Sequence, residues 1–201
     1  MKTEIDEQSL QEAATVIARG GVIAFRTDTF YGLGADPFNC EAVQRIKQLK
    51  GSHKPILIII SDREQVGRFI RERSDSFNRL AERFWPGPLT LIGKSAPEVP
   101  DEITAGTGTV GVRLPDDDNV RALLRACGGA LTATSANPSN REPPKTAQEV
   151  NSYFGDAIDL IVDGGKTRSD LPSTVLDVCD AEPKLIRAGV LGWLARHPSD
   201  H

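Results

Sequence analysis

The sequence predicts an α/β fold in which a twisted open sheet is flanked by helices. Short apolar runs typical of buried strands, such as residues 22–25 and 56–60, alternate along the chain with segments of helical periodicity. The 201 residues suit one domain of ordinary size, and neither an internal repeat nor a dividing linker interrupts them. We therefore expect a single domain over residues 1–201, with a core at about residues 9–190 and a short C-terminal tail.

Cap signals and apolar faces predict the helices. Ser9 and Glu12 form a capping box, Asn39 is a suitable cap for the second helix, and Ser61 and Glu64 form another capping box. Apolar periodicity places the remaining helices. The expected helices cover about residues 10–19, 40–50, 62–73, 76–84, 120–127 and 146–154.

Apolar and β-branched runs between these helices predict the strands, which we expect to share one sheet. The segment 96–111, rich in proline, threonine and glycine, is expected to be loop-like up to its last residues. The expected strands cover about residues 22–25, 56–60, 89–92, 110–114, 131–134, 159–162, 174–178 and 184–187.

Composition excludes several classes of function. The net charge of −4 argues against a general polyanion binder but allows a local basic pocket. Cys40, Cys127 and Cys179 form no CxxC pair, which predicts reduced thiols, and His53 is the one histidine away from the C-terminus, which argues against a zinc cluster. No run approaches the roughly 18 apolar residues of a membrane span, so we expect a cytoplasmic protein without a membrane partner.

The stretch 20–36 changes abruptly from apolar to polar residues. Thr27, Asp28 and Thr29 closely follow the strand at 22–25, and two glycines after them would let the backbone approach a ligand. This pattern is typical of a binding rim, and it is equally typical of a capped strand end followed by a turn. Both interpretations stay open from this stretch alone.

Two glycine-rich matches do not carry nucleotide-binding chemistry. Residues 106–111 match GxGxxG, but they lead into a strand, whereas a dinucleotide fingerprint follows a strand and opens a helix. The GKT at 165–167 and the GKS at 93–95 lack the first glycine of a P-loop. None of these three segments predicts a phosphate loop of these types.

Hydroxyl and amide residues at the ends of predicted strands form a different pattern, and isolated cations accompany them. Each one alone is more often a turn residue or a surface charge, but together they can form a pocket for phosphate and carboxylate groups. Such a pocket would act by charge stabilisation, since one internal histidine makes a Ser/His/Asp triad improbable. The set comprises Thr27, Thr29, Thr109, Ser135, Asn137, Ser173 and Thr174, with Lys50, Arg113 and Arg187 as the cations.

Seven ordered motifs make the sequence recognisable. They are TDTFYGLG at 27–34, LKG and KP within 49–55, WPGPLT at 85–90, VGVRLP at 110–115, TSAN at 134–137, PSTV at 172–175 and IRAG at 186–189. With these motifs the chain resembles the YrdC-type threonylcarbamoyl-adenylate synthase family over residues 17–189, in its short, single-domain form. The resemblance implies a YrdC/RibB-like twisted open sheet around a concave, positively charged cavity.

The resemblance also implies an enzyme, a nucleotidyltransferase. Members condense L-threonine, bicarbonate or carbon dioxide and ATP into threonylcarbamoyl-AMP and pyrophosphate, with Mg²⁺ accompanying ATP. The product serves threonylcarbamoyltransferase proteins that modify adenosine 37 of tRNA, and tRNA or double-stranded RNA is implied as a further partner.

Residue by residue, the resemblance implies a threonine site and an ATP site. Thr27, Arg113 and Ser173 would hold threonine through its carboxylate, amine and hydroxyl. Lys50, Arg113, Ser135 and Asn137 would form the catalytic set, and no protein side chain would ligate the metal. The ATP site would comprise Lys50, Thr109, Ala133, Ser135, Asn137 and Arg187.

The chain departs from the family pattern after Lys50. The family's Lys-x-Arg motif is represented by Lys50-Gly51-Ser52, so the arginine is missing and the segment before Pro55 is about two residues short. A lysine such as Lys54 cannot reproduce the bidentate fork of an arginine. Two functions therefore remain: a synthase, or a paralogue that binds RNA or a nucleotide without synthase activity.

Overall fold

The computed structural model describes residues 5–167 and 169–191. Within these ranges the chain forms helices and strands, with 3₁₀ helices at Arg63–Arg68 and Gly155–Ala157. The elements are α1 (Glu7–Ala18), β1 (Ile23–Arg26), β2 (Tyr31–Gly34), α2 (Cys40–Lys50), β3 (Ile58–Ile60), α3 (Asp75–Phe84), β4 (Leu89–Lys94), α4 (Asp101–Thr104), β5 (Thr109–Arg113), α5 (Asp118–Ala126), β6 (Ala130–Thr132), β7 (Thr134–Ser135), α6 (Ala147–Phe154), β8 (Leu160–Val162), β9 (Thr174–Asp177) and β10 (Lys184–Arg187).

The strands form two sheets. The four-stranded sheet has the order β7-β2-β1-β8, and the six-stranded sheet has the order β10-β9-β4-β5-β3-β6. Both are mixed: β1 pairs in parallel with β8 and antiparallel with β2, while β4 pairs in parallel with β9 and antiparallel with β5. The predicted α/β class is confirmed.

The single sheet expected from the sequence is instead divided in two. Residues 131–134, predicted as one strand, change sheets at Ala133: β6 pairs with β3 in one sheet, and β7 pairs with β2 in the other. The sheets stay connected beside this break, because the Thr132 amide donates to the Ala35 carbonyl at 3.0 Å and the Ala35 amide donates to Thr132 Oγ1 at 2.9 Å. One short segment therefore belongs to both sheets.

The helix starts confirm some cap predictions and correct others. Asn39 caps α2 and accepts a hydrogen bond from the Ala42 amide at 3.0 Å, as expected. The capping box at Ser9 is wrong, because Asp6 caps α1 one turn earlier and accepts from the Ser9 amide at 2.8 Å. The box predicted at Ser61 is also wrong: a 3₁₀ turn follows there, and its first residue receives no side-chain cap. The loop expected at 96–111 contains α4.

Helices α1 and α5 hold the two sheets together on one face. Ile17 of α1 and Leu124 of α5 pack in one buried cluster with Phe25 of the four-stranded sheet and Ile59 of the six-stranded sheet. Fully burying such a side chain stabilises a fold by about 1.5–3 kcal/mol. The cluster fixes the relative position of the sheets and hence the spacing of the cavity walls described below.

No helix in residues 5–167 and 169–191 is both long enough and apolar enough to cross a membrane. All three cysteines are free thiols, as expected. The C-terminal tail predicted after residue 190 lies, apart from residue 191, outside the described residues.

Candidate active site

A cavity of about 660 Å³ opens between the two sheets. Its lining is strongly basic although the whole chain is acidic: among the described residues it has five cationic side chains and one carboxylate, that of Asp170. A cavity with this imbalance attracts anionic ligands, because charges on low-dielectric walls focus the field inside it. The five cations are Lys47, Lys50, Lys54, Arg113 and Arg187.

The turn after β1 forms one edge of this cavity. Thr27 Oγ1 donates to the Phe30 carbonyl at 2.7 Å and lies 3.1 Å from Thr29 Oγ1, so the segment is a side-chain-capped turn. Thr27 and Thr29 also line the cavity. The capped turn is therefore confirmed, and the binding rim stays a prediction that the place of Thr27 and Thr29 in the cavity lining supports.

Arg113 at the end of β5 lies in the cavity wall and is held by Asp28. Its Nη1 donates to Asp28 Oδ1, and the side chains are only 6 and 12% exposed. Asp28 lines a smaller adjoining cavity of about 230 Å³ and is not among the residues that line the large one. The Asp28 carboxylate thus holds Arg113 from the side of the smaller cavity and leaves the other guanidinium nitrogens of Arg113 for a ligand.

Lys50 is the last residue of α2, and its side chain contacts the end of β7 and the residues just after it. Its Nζ donates to the Ser135 carbonyl at 2.5 Å and to the Asn137 carbonyl at 2.8 Å. Burial lowers the pKa of Lys50 to about 8, because the charged ammonium has lost much of its water. The ammonium therefore titrates near physiological pH and contacts two of the residues predicted with it.

Arg187 and Ser173 form a second cationic group in the wall. Arg187 Nη2 donates to Ser173 Oγ at 2.9 Å and Nε donates to the Ser173 carbonyl at 3.1 Å. Burial, and then repulsion by nearby Arg113, lower the pKa of Arg187. The two guanidinium groups therefore line the same cavity and repel each other within it.

Asn137 is held in the wall through its amide nitrogen. Nδ2 donates to the Pro138 carbonyl at 3.0 Å and to the Arg141 carbonyl at 2.6 Å. Its Oδ1 is buried without a hydrogen-bond partner among the described residues. An unsatisfied buried acceptor of this kind suits a ligand group that donates a hydrogen bond, such as a ribose hydroxyl or an amino group.

Eight of the nine residues predicted for the threonine and ATP sites line this cavity, and Thr109 does not. Thr109 begins β5, four residues from Arg113 and thus about 13 Å along the strand. Its hydroxyl lies 3.0 Å from Thr107 Oγ1. Its contact with ATP stays a prediction. The eight that meet are Thr27, Lys50, Arg113, Ala133, Ser135, Asn137, Ser173 and Arg187.

Sequence reasoning gave no site role to Thr90 or Lys47, and it considered Asp28 only as part of the rim after the first strand and Lys54 only as a substitute for the missing arginine. Asp28 lies in the motif TDTFYGLG and Thr90 in the motif WPGPLT. A polar residue beside an apolar strand is the signal that could have identified both as site residues. Lys47 lies one helical turn before Lys50 and hence on the same face of α2. Lys54 lies in the shortened segment between Lys50 and Pro55, where the family arginine is missing, and it lines the cavity.

The family model described as "Telomere recombination", which covers Sua5, YciO and YrdC proteins, matches residues 15–189. The chain belongs to this Sua5/YciO/YrdC family. A threonylcarbamoyl-AMP synthase of Pyrococcus abyssi is 37% identical over 210 residues, which cover 99% of this chain and 62% of the relative. One of Bacillus subtilis is 37% identical, over 92% of this chain and 54% of the relative. The chain thus spans little more than half the length of these two relatives.

Solved structures of the family have the same fold. Sua5 of Pyrococcus abyssi, in a crystal structure complexed with L-threonine, superposes with a TM-score of 0.88 at 39% identity, over 92% of this chain and 55% of that one. YciO of Escherichia coli superposes with a TM-score of 0.83 at 27% identity, over 92% of this chain and 91% of that one. A synthase of Marinobacter nauticus, 39% identical, is matched over 87% of its own length. The family fold is therefore also found in chains of similar length.

Proposed function

We propose that the chain is an L-threonylcarbamoyladenylate synthase, a nucleotidyltransferase that forms threonylcarbamoyl-AMP and pyrophosphate from L-threonine, bicarbonate or carbon dioxide, and ATP. The observation that carries this proposal is the basic cavity, which gathers Lys50, Arg113 and Arg187 with hydroxyl and amide groups in an otherwise acidic chain. The names of the family relatives support it.

Threonine is assigned to the part of the cavity lined by Thr27, Arg113 and Ser173. Arg113 keeps part of its guanidinium available beside Asp28, and a guanidinium matches a carboxylate well. The L-threonine bound to Sua5 of Pyrococcus abyssi supports this choice of ligand.

ATP is assigned to the part lined by Lys50, Ala133, Ser135, Asn137 and Arg187, which meets the threonine part where Arg187 contacts Ser173. Lys50 and Arg187 supply charge for the phosphates. The unpartnered Asn137 Oδ1 supplies an acceptor for the nucleoside. Thr109 is left out of this proposal because it is not among the residues that line the cavity.

The reaction joins two anions, and the cavity supplies what that step needs. Carbon dioxide adds to the threonine amine, which loses a proton and becomes a carbamate. A carbamate oxygen then bonds to the α-phosphorus as the bond to the pyrophosphate oxygen breaks. Fixed cations offset the repulsion and stabilise the charge that develops on the leaving group. Positioning by Arg113 and Lys50, rather than a strong protein base, would provide most of the rate.

Mg²⁺ belongs to the proposal as the counter-ion of the triphosphate, whose charge it would offset. The described residues contain no group of three or more metal-ligating side chains in reach of one another. Asp170, the carboxylate of the lining, forms an ion pair with Lys145. Mg²⁺ commonly keeps waters and substrate phosphates as ligands, so the phosphates of ATP are expected to hold it here.

The product would pass to threonylcarbamoyltransferase proteins that act on tRNA, in the cytoplasm. A mixed anhydride of a carbamate and a phosphate is reactive, so a consumer that transfers its acyl group must follow. Direct contact with tRNA or double-stranded RNA is retained as a weaker part of the proposal, because the net charge of −4 does not favour it.

The decisive assay mixes the purified protein with ATP, Mg²⁺, bicarbonate and L-threonine. We expect pyrophosphate and threonylcarbamoyl-AMP, detected by mass spectrometry, and neither of them when threonine is omitted. Binding of ATP without product would favour the second candidate, a paralogue that binds a nucleotide or RNA. The missing arginine after Gly51 is the observation in favour of that candidate.

Lys54 is expected to compensate in part for the missing arginine. It lines the cavity, whereas its neighbour His53 is not among the lining residues. Lys54→Ala should raise the KM for ATP about tenfold, the effect of losing one charge-assisted contact, and Ser52→Arg should lower it. The matched control is Lys184→Ala, whose lysine pairs with Asp180 outside the cavity lining. Equal KM values for Lys54→Ala and the control would contradict this role.

A further inference from the structure

Thr90 of β4 is a buried hydroxyl residue in the lining of the cavity, and the proposed mechanism does not use it. Its Oγ1 lies 2.9 Å from Ser173 Oγ, and the side chain is 0% exposed. In residues 5–167 and 169–191 this hydroxyl has no other hydrogen-bond partner. Either hydroxyl could donate in this bond, but an unsatisfied buried donor is costly, so the arrangement in which Thr90 donates its proton to Ser173 Oγ is favoured.

Arg187 is a second donor to the same oxygen. Its Nη2 lies 2.9 Å from Ser173 Oγ, and a guanidinium has no acceptor, so the direction of this bond is fixed. A hydroxyl oxygen has two acceptor sites and one proton. In this arrangement Thr90 and Arg187 occupy both acceptor sites, so Ser173 has only its own proton left to offer to the cavity that it lines.

We propose that Thr90 is a positioning residue that fixes Ser173 Oγ as a hydrogen-bond donor toward the ligand. The inference rests on the proposed function and makes it more specific: Ser173 would meet an oxygen acceptor of L-threonine, either its hydroxyl or its carboxylate. An ammonium group carries only donors, so it finds no acceptor at Ser173. The Thr90–Ser173–Arg187 chain would therefore orient the amino acid as well as bind it.

A double-mutant cycle, measured by urea unfolding without any ligand, tests the direction of the hydrogen bond between Thr90 and Ser173. Ser173→Ala leaves the buried Thr90 proton without an acceptor, whereas Thr90→Val leaves Ser173 with Arg187 and with its own proton in the cavity. We expect Ser173→Ala to lower the urea midpoint more than Thr90→Val, and Thr90→Val to raise the midpoint again in the Ser173→Ala background. A double variant less stable than Ser173→Ala alone would overturn the inference.

Calorimetric titration with L-threonine, in the presence of Mg²⁺ and ATP, tests the consequence for binding. Thr90→Val should weaken binding about three- to tenfold, the effect of one misdirected neutral hydrogen bond, while Thr90→Ser, which keeps the hydroxyl, restores it. Equal losses in the two variants, or none in Thr90→Val, would overturn the inference.

L-2-aminobutyrate, which lacks the hydroxyl of threonine, distinguishes the two acceptors. If Ser173 donates to the hydroxyl of threonine, Thr90→Val leaves the affinity for this analogue unchanged. If Ser173 donates to the carboxylate, Thr90→Val lowers the affinity for both ligands to the same degree. A wild-type protein that does not bind L-threonine would refute the proposed function, and the double-mutant cycle would still decide where the Thr90 proton lies.

Discussion

Arg113→Ala is expected to weaken L-threonine binding about 10- to 100-fold and to destabilise the fold by about 3 kcal/mol. The first effect is the loss of a charge-assisted contact with the carboxylate. The second arises because Asp28, only 12% exposed, would lose the partner of its buried charge. Calorimetric titration with L-threonine and urea unfolding measure the two effects separately.

The Arg113→Ala/Asp28→Asn double variant separates binding from stability. Removing the stranded carboxylate should recover most of the lost free energy of unfolding, because no unpaired buried charge remains. It should not recover threonine affinity, because the cation is still absent. Recovery of affinity in the double variant would show that Arg113 acts on the fold and not on the ligand.

ATP binding is expected to depend on pH through Lys50. Below pH 8 its ammonium is charged and available to a phosphate; above its pKa of about 8 the neutral amine loses that attraction. Affinity for ATP should therefore fall between pH 7 and 9.5, and titrations with ATP and Mg²⁺ at fixed ionic strength measure this.

In the protein measured without ATP, the same lowered pKa of Lys50 should make the free energy of unfolding rise between pH 8 and 10.5. In this range Lys50 is protonated in the unfolded chain and neutral in the folded one.

Lys50→Arg and Lys50→Met are the controls for this dependence. An arginine stays charged throughout this range, so Lys50→Arg should bind ATP with a flat pH profile. Lys50→Met should bind about 10- to 100-fold more weakly than wild type at pH 7, with no slope from this site. A wild-type slope that persists in both variants would assign the titration to another group.

Local patterns predicted the elements well because each of them carries its own signal. The cap at Asn39 and the apolar run of β3 depend on residues close in sequence, and both were found. The division into two sheets could not be predicted, since it depends on which partners β6 and β7 choose across the chain. The Ser9 box failed for a similar reason: Asp6, three residues earlier, is an equally good cap.

Most of the site came from the resemblance, which supplies residues but not their mutual contacts. It brought Lys50, Arg113 and Arg187 together correctly in one cavity. It could not show that Asp28 pairs with Arg113, that Thr90 contacts Ser173, or that Thr109 lies at the far end of β5. Those relations depend on strand register and on the distance between the sheets, which no single motif encodes.

The principal cations of the cavity have partners within the protein itself: Arg113 has Asp28, Lys50 has two backbone carbonyls, and Arg187 has Ser173. Binding is therefore a substitution, in which each new contact replaces or shares an existing one. A monovalent ion such as chloride meets one cation at a time and gains little from the exchange. A ligand with several acceptors at matched spacing, such as the proposed triphosphate together with an amino acid, would gain at all three, so the cavity would discriminate against common salts.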